Sequence, residues 1–204
     1  MDHTSVRLHF ELIGLVLVLS LPIMIMGCGG SSDSGGEPGP DAVDLAYVAA
    51  RYGEPNHNHR IVATVRSAST GMWSDYFGVY EDPDYLIGHV HGGMIDGQAV
   101  LFFDRRQPSN YATGFVDIGY IRSLDDRLTM WSTPKTLHPG HGMQVFSVHG
   151  RLIHVPGTET FFQPCYGWKQ TPDGTVYYVK LFESNDRGRT WNAGPLVYEG
   201  PTKF

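Results

Sequence analysis

The chain has 204 residues, a formal net charge of -6 and only 18% charged side chains. It has no run of Lys or Arg, which argues against a nucleic-acid surface, and its two cysteines, Cys28 and Cys165, are too few for a disulfide framework. With 25 Gly, 13 Pro and 12% aromatics, the composition suits a turn-rich all-β protein.

From the N-terminus, Leu12 to Met26 form an apolar run of 15 residues. That is short of the roughly 20 residues needed to span a membrane, and it fits the hydrophobic region of an export signal. The run ends in Ile25-Met26-Gly27-Cys28, and a Gly/Ser/Pro tract follows that has nothing apolar to bury. Apolar pair, small residue and Cys in this order resemble the bacterial lipobox. The resemblance implies a signal over residues 1–27, lipidation of Cys28, a flexible linker over 28–44 and a place in the cell envelope. The membrane partner is then reached through the N-terminal lipid.

The remaining residues, 45–204, contain a repeat. Val62–Trp73, Val116–Trp131 and Val176–Trp191 each read as a strand, a Ser-led turn and a Trp, with the three Trp spaced by 58 and 60 residues. Between them, His91–Phe103 and His141–Val155 share a pattern of strand, Gly turn and strand. Asp96-Gly97 and His149-Gly150 are the expected hairpin turns, because Gly tolerates positive φ. Each period thus holds about four short strands, the size of a propeller blade. The one place after the signal that could hold a short helical turn is residues 43–52.

The third turn, Ser184-Asn-Asp186-Arg-Gly188-Arg-Thr190-Trp191, is similar to the Asp box of bacterial neuraminidase repeats at all five defining positions. Its Ser and Asp side chains can bond to turn amides, and Gly188 supplies the unusual backbone angle. The second copy keeps Ser123, Asp125, Thr129 and Trp131, with Arg127 at the Gly position; the first keeps Ser67, Gly71 and Trp73. Over roughly residues 55 to 200 the chain therefore resembles the sialidase-like, Asp-box β-propellers. The resemblance implies about three blades of four antiparallel strands, part of a six-bladed propeller. Either the chain is incomplete or two copies close one ring. The box itself is structural, and function has to be sought elsewhere.

Sialidases of this family use a Tyr–Glu nucleophile pair, an Asp acid and three Arg that grip the substrate carboxylate bidentately. Here Arg105 or Arg106 matches one such Arg at a strand end, and the acid position falls near Asn110, which cannot transfer a proton. The resemblance thus implies a surface-anchored, sialidase-like glycan-processing protein, inactive as this chain stands. Two alternatives remain open: a non-catalytic propeller that binds glycan or protein, and a polysaccharide lyase. A lyase would use His and Tyr as base and acid, for which His91, His141, Tyr166 and Arg106 are the matching types. Tyr111, Tyr166 and Trp168 are candidates for stacking on sugars, beside a plain packing role. The i, i+2 pairs His57/His59 and His89/His91 could chelate a metal from one strand face, but no Cys or carboxylate completes a ligand set. No metal or other cofactor is expected, and Cys165 is read as a packing residue.

Overall fold

The computed structural model describes residues 43–50, 60–67, 69–110 and 114–202, without the side chains of 43–50 and Asn110. The signal, Cys28, most of the linker, His57, His59 and Tyr111 lie outside these residues. The described chain is all-β: twelve strands, one short 3-10 turn at Pro108–Asn110, and no α-helix.

Three antiparallel sheets follow one another along the chain. The first holds β1 (Val43–Ala50), β2 (Arg60–Ser67) and β3 (Phe77–Glu81) in that order. The second holds β4 (Leu86–Ile95), β5 (Gln98–Arg106), β6 (Phe115–Arg122) and β7 (Lys135–Leu137), also in chain order. In the third, β8 (Val145–Val148), β10 (Phe161–Thr171), β11 (Gly174–Ser184) and β12 (Asn192–Gly200) run side by side. The short β9 (Ile153–His154) pairs with the near end of β10.

Two local expectations change. Residues 43–50 form a strand, not a helical turn, because they lie in ladder register with β2 from Val43↔Ser67 to Ala50↔Ile61. The Asp96-Gly97 hairpin holds, with both residues at positive φ (51° and 78°), the requirement of a tight two-residue turn. His149-Gly150 is no hairpin: β8 and β9 both pair with β10, and the segment between them is a bend pinned by His149 N donating to Pro164 O at 3.0 Å.

The apolar run Ala99–Phe103 in β5 explains how the sheets stack. Alternate side chains point to opposite faces. Val100 and Phe102 join Ile118 and Tyr120 against Phe146, Val148, Tyr178, Phe182 and Trp191 of the third sheet. Leu101 and Phe103 join Ile87 and Ile121 against Ile61 of the first. The second sheet is therefore buried on both sides. Each fully buried Phe contributes about 1.5–3 kcal/mol.

The Ser-led turns can now be compared atom by atom. In the third, Asp186 accepts from Thr190 N (2.9 Å) and Thr190 Oγ1 (2.6 Å), Ser184 Oγ accepts from Gly188 N (2.8 Å), and Trp191 Nε1 donates to Gly188 O (3.1 Å). In the second, Asp125 accepts from Thr129 N (2.9 Å) and Thr129 Oγ1 (2.5 Å), and Trp131 Nε1 donates to Leu128 O (3.0 Å). The Asp–Thr and indole bonds thus recur, whereas Ser123 Oγ accepts from Ala99 N at 2.8 Å instead of from a turn amide. The residue at positive φ in the second turn is the buried Leu128 (φ 59°), not Arg127, because the turn is counted back from the indole, three residues before it as Gly188 is. In the first turn the bridge Arg66↔Trp73 matches Ser123↔Trp131, so Arg66 rather than Ser67 stands where Ser123 does. Ser67 instead bonds within the turn, its N–H donating to Met72 O at 3.0 Å.

The indoles share a direction. Trp191 is 4% exposed and meets Phe102 of the preceding sheet edge-on, with centroids 4.8 Å apart. Trp131 packs on the cluster shared with the first sheet. Trp73 is 48% exposed.

Asp186 accepts from Thr190 N, Thr190 Oγ1 and Ser184 Oγ, so Asp186→Ala should cost about 2 kcal/mol in urea unfolding, and Asp186→Asn, which keeps one acceptor oxygen, clearly less. Equal, near-zero effects of both substitutions would show that the turn does not depend on this carboxylate.

Candidate functional site

Packing between sheets runs through their first strands: β4 meets β1, β2 and β8, and β8 meets β4, β5 and β6. Where β4 and β8 converge, polar groups collect. A register shift between Ile87 and Val90 sets the course of β4 past Gly88 and His89. A Cβ on Gly88 would collide with the Asp104 carboxylate, so glycine is what allows that carboxylate to lie against the strand.

Asp104 is fully buried. It accepts from Arg106 Nε at 2.7 Å and from Ser147 Oγ at 3.1 Å, with His89 Nδ1 3.5 Å away. Burial works to raise its pKa. The hydrogen bond from His89 and the charges of Arg106 and His89 outweigh burial, so the pKa is lowered and the group stays a carboxylate. Ser147 Oγ also lies 2.9 Å from His89 Nδ1. This is not a nucleophile triad: Ser and Asp meet the same ring nitrogen, and the serine hydroxyl donates to the aspartate.

Arg105 and Arg106 point to opposite faces of β5. Arg106 pairs with Asp104, and its guanidinium lies 4.1 Å over the Phe115 ring. Arg105 makes a bidentate pair with Asp117 at 2.6 and 2.5 Å, with Asp82 at 3.5 Å and the Tyr85 ring at 4.9 Å. Both guanidiniums are engaged by the protein's own carboxylates.

Above the Asp104–Arg106 pair sit three histidines. The His149 ring lies 5.2 Å from His89, 5.1 Å from His91 and 4.5 Å from Tyr166. His149 Nε2 is buried with no hydrogen-bond partner. Burial, then repulsion from His91 and His89, lowers the His149 pKa to about 4. Burial and His89 lower that of His91 as well. At neutral pH these two rings are therefore uncharged. Beside them opens a cavity of about 440 Å³ lined by His149, Gly150, Pro164, Tyr166, Tyr177 and Val179.

Of the residues named from sequence, His91, Tyr166 and Arg106 thus gather in one neighbourhood. His141 does not join them: it sits in an exposed turn at φ 56°, with its ring 6.2 Å from Tyr178 and its carbonyl accepting from Lys169 Nζ. Trp168 follows Tyr166 on the same face of β10, 6.3 Å away. Cys165 is buried and its thiol is pushed up to about 12 by burial, which makes it a packing group. Among the described residues, no three His, Cys, Asp or Glu side chains are placed to hold a metal ion. Sequence reading missed Asp104, Ser147 and the bridging role of His149. The one available signal was a lone acid following the apolar run Ala99–Phe103. No protein-family model matches the chain, and no curated protein matches it.

The lowered pKa of His149 sets a pH dependence. The unfolded chain takes up the proton first, so this ring's contribution to stability is full above pH 6.5 and is lost as pH falls toward 4. Thermal melts at pH 7 and pH 4.5 should show wild type weakened at the lower pH. His149→Phe should shrink that difference by about 1 kcal/mol, allowing for solvent screening at a half-buried ring. An unchanged difference in the variant would remove His149 as the cause.

Proposed function

We propose that this chain is an exported, lipid-anchored, sialidase-like Asp-box propeller protein that binds a glycan without hydrolysing it. The fold part of the reading is supported by the two turns with matching Asp–Thr and indole bonds. The functional part rests on one observation: Arg105 and Arg106 are each neutralised by an internal carboxylate, Asp117 and Asp104. A site whose guanidiniums are already paired has no spare positive charge for an acidic sugar. Asp104, held ionised and buried, has no proton to give a leaving group. What remains beside the paired charges is His89 with the neutral rings of His91 and His149, which can donate and accept to sugar hydroxyls.

A second reading, elimination from an acidic polysaccharide, draws on the 4.5 Å approach of His149 to Tyr166. It too would need a free cation beside the sugar acid, and Arg106 is engaged with Asp104.

The test uses the full chain. N-acetyllactosamine and its α2,3-sialylated form should bind with similar affinity. His91→Ala should weaken both by about tenfold, the loss of one buried-side hydrogen bond. A fluorogenic sialoside should release no fluorophore, and an acidic polysaccharide should yield no unsaturated uronate absorbance. Release of fluorophore, abolished by Arg106→Ala, would restore the hydrolase reading. Absorbance lost in Tyr166→Phe would establish the lyase.

A further inference from the structure

The relation that joins the first sheet to the second also joins the second to the third, and among the described residues both halves of that relation are also left uncovered. Counted from the Ser of the turn, the second and third sheets superimpose. Ser123 N donates to Ala99 O, and Ser184 lies opposite Phe161. Pro164 therefore stands where Phe102 stands, and Leu181 where Tyr120 does. Phe102 and Tyr120 lie opposite each other in their sheet, as Pro164 and Leu181 do in theirs. The first pair is buried by the third sheet. The second is only half-buried, within a strip of Phe162, Pro164, Tyr166, Trp168, Val179 and Leu181 along one face of β10 and β11. A continuous apolar strip of this kind marks an interaction surface.

The complementary half is at the other end of the molecule. Trp131 and Trp191 each pack toward the sheet before their own. Trp73 is held by the same backbone bridge as Trp131 and points the same way, away from the second sheet, yet it is 48% exposed. We infer that the outer face of the third sheet receives the first sheet of a second copy of this chain, with Trp73 of that copy set against Pro164 and Leu181 as Trp191 is set against Phe102. The contact is head-to-tail, joining unlike surfaces of two copies. It continues, between chains, the interface already present twice within one. The strip shares Pro164, Tyr166 and Val179 with the wall of the cavity beside His149, but the inference does not rest on the glycan reading and its test involves no sugar.

The experiment places a photo-crosslinking benzoylphenylalanine at position 73 of the full chain in detergent. A covalent dimer is expected, with the linked peptide falling within residues 161–184. In parallel, sedimentation of Trp73→Ala and Leu181→Glu should show self-association weakened by about 30-fold or more, the size of a lost central aromatic anchor. Both side chains are partly exposed, so circular dichroism melts should stay near wild type and separate lost contact from lost fold. A monomeric wild-type chain, a crosslink to another protein or to another part of this chain, or association unchanged in both variants would each overturn the inference.

Discussion

The fold depends on a sheet with two apolar faces. β5 places Val100 and Phe102 on one side and Leu101 and Phe103 on the other, and each side is covered by a neighbouring sheet. An antiparallel sheet with one wet face would show alternation of apolar and polar residues. The unbroken run Ala99–Phe103 therefore already demands a layer above and a layer below. The close fit shows at Gly119, where a Cβ would strike the Phe103 ring. Trp131 and Trp191 complete this stacking from the margins, each closing the gap toward the preceding sheet.

The same stacking creates the polar cluster. Bringing β4 and β8 together buries whatever their facing strands carry. Asp104 follows Phe102 on the same face of β5 and so becomes a buried charge. A buried carboxylate needs compensation, which Arg106, Ser147 and His89 supply. Three imidazoles then crowd above this pair, and burial holds His91 and His149 neutral. Charge pairing below and the uncharged rings of His91 and His149 above are the features on which the proposed glycan-binding reading rests.

Much of the fold was legible because it is local. The Asp–Thr bonds of the Ser-led turns span four residues, and Gly at φ > 0 marks the hairpin at Asp96-Gly97. The strand order is a simple meander, so sequence neighbours are spatial neighbours. What escaped reading was non-local. His149-Gly150 has a hairpin's composition, but β10 offers a longer partner to both flanking strands. Residues 43–50 gain their identity from β2, not from their own pattern. The position of Leu128 at positive φ goes against residue preference by about 1 kcal/mol, and the burial of its side chain offsets that cost. The site was harder still. Asp104, His89 and Ser147 are separated by as many as 58 residues, and no spacing rule joins them. Arg105 and Arg106 look like a pair in sequence and are separated by the strand's own alternation.

The central claim is that each sheet is locked to its neighbour by an indole from the Ser-led turn. A double-mutant cycle on Trp191→Ala and Phe102→Leu, read by urea unfolding, tests it most directly. The two side chains meet edge-on, so the account predicts a coupling of about 1 kcal/mol between the substitutions. Additivity of the two effects to within about 0.3 kcal/mol would contradict it.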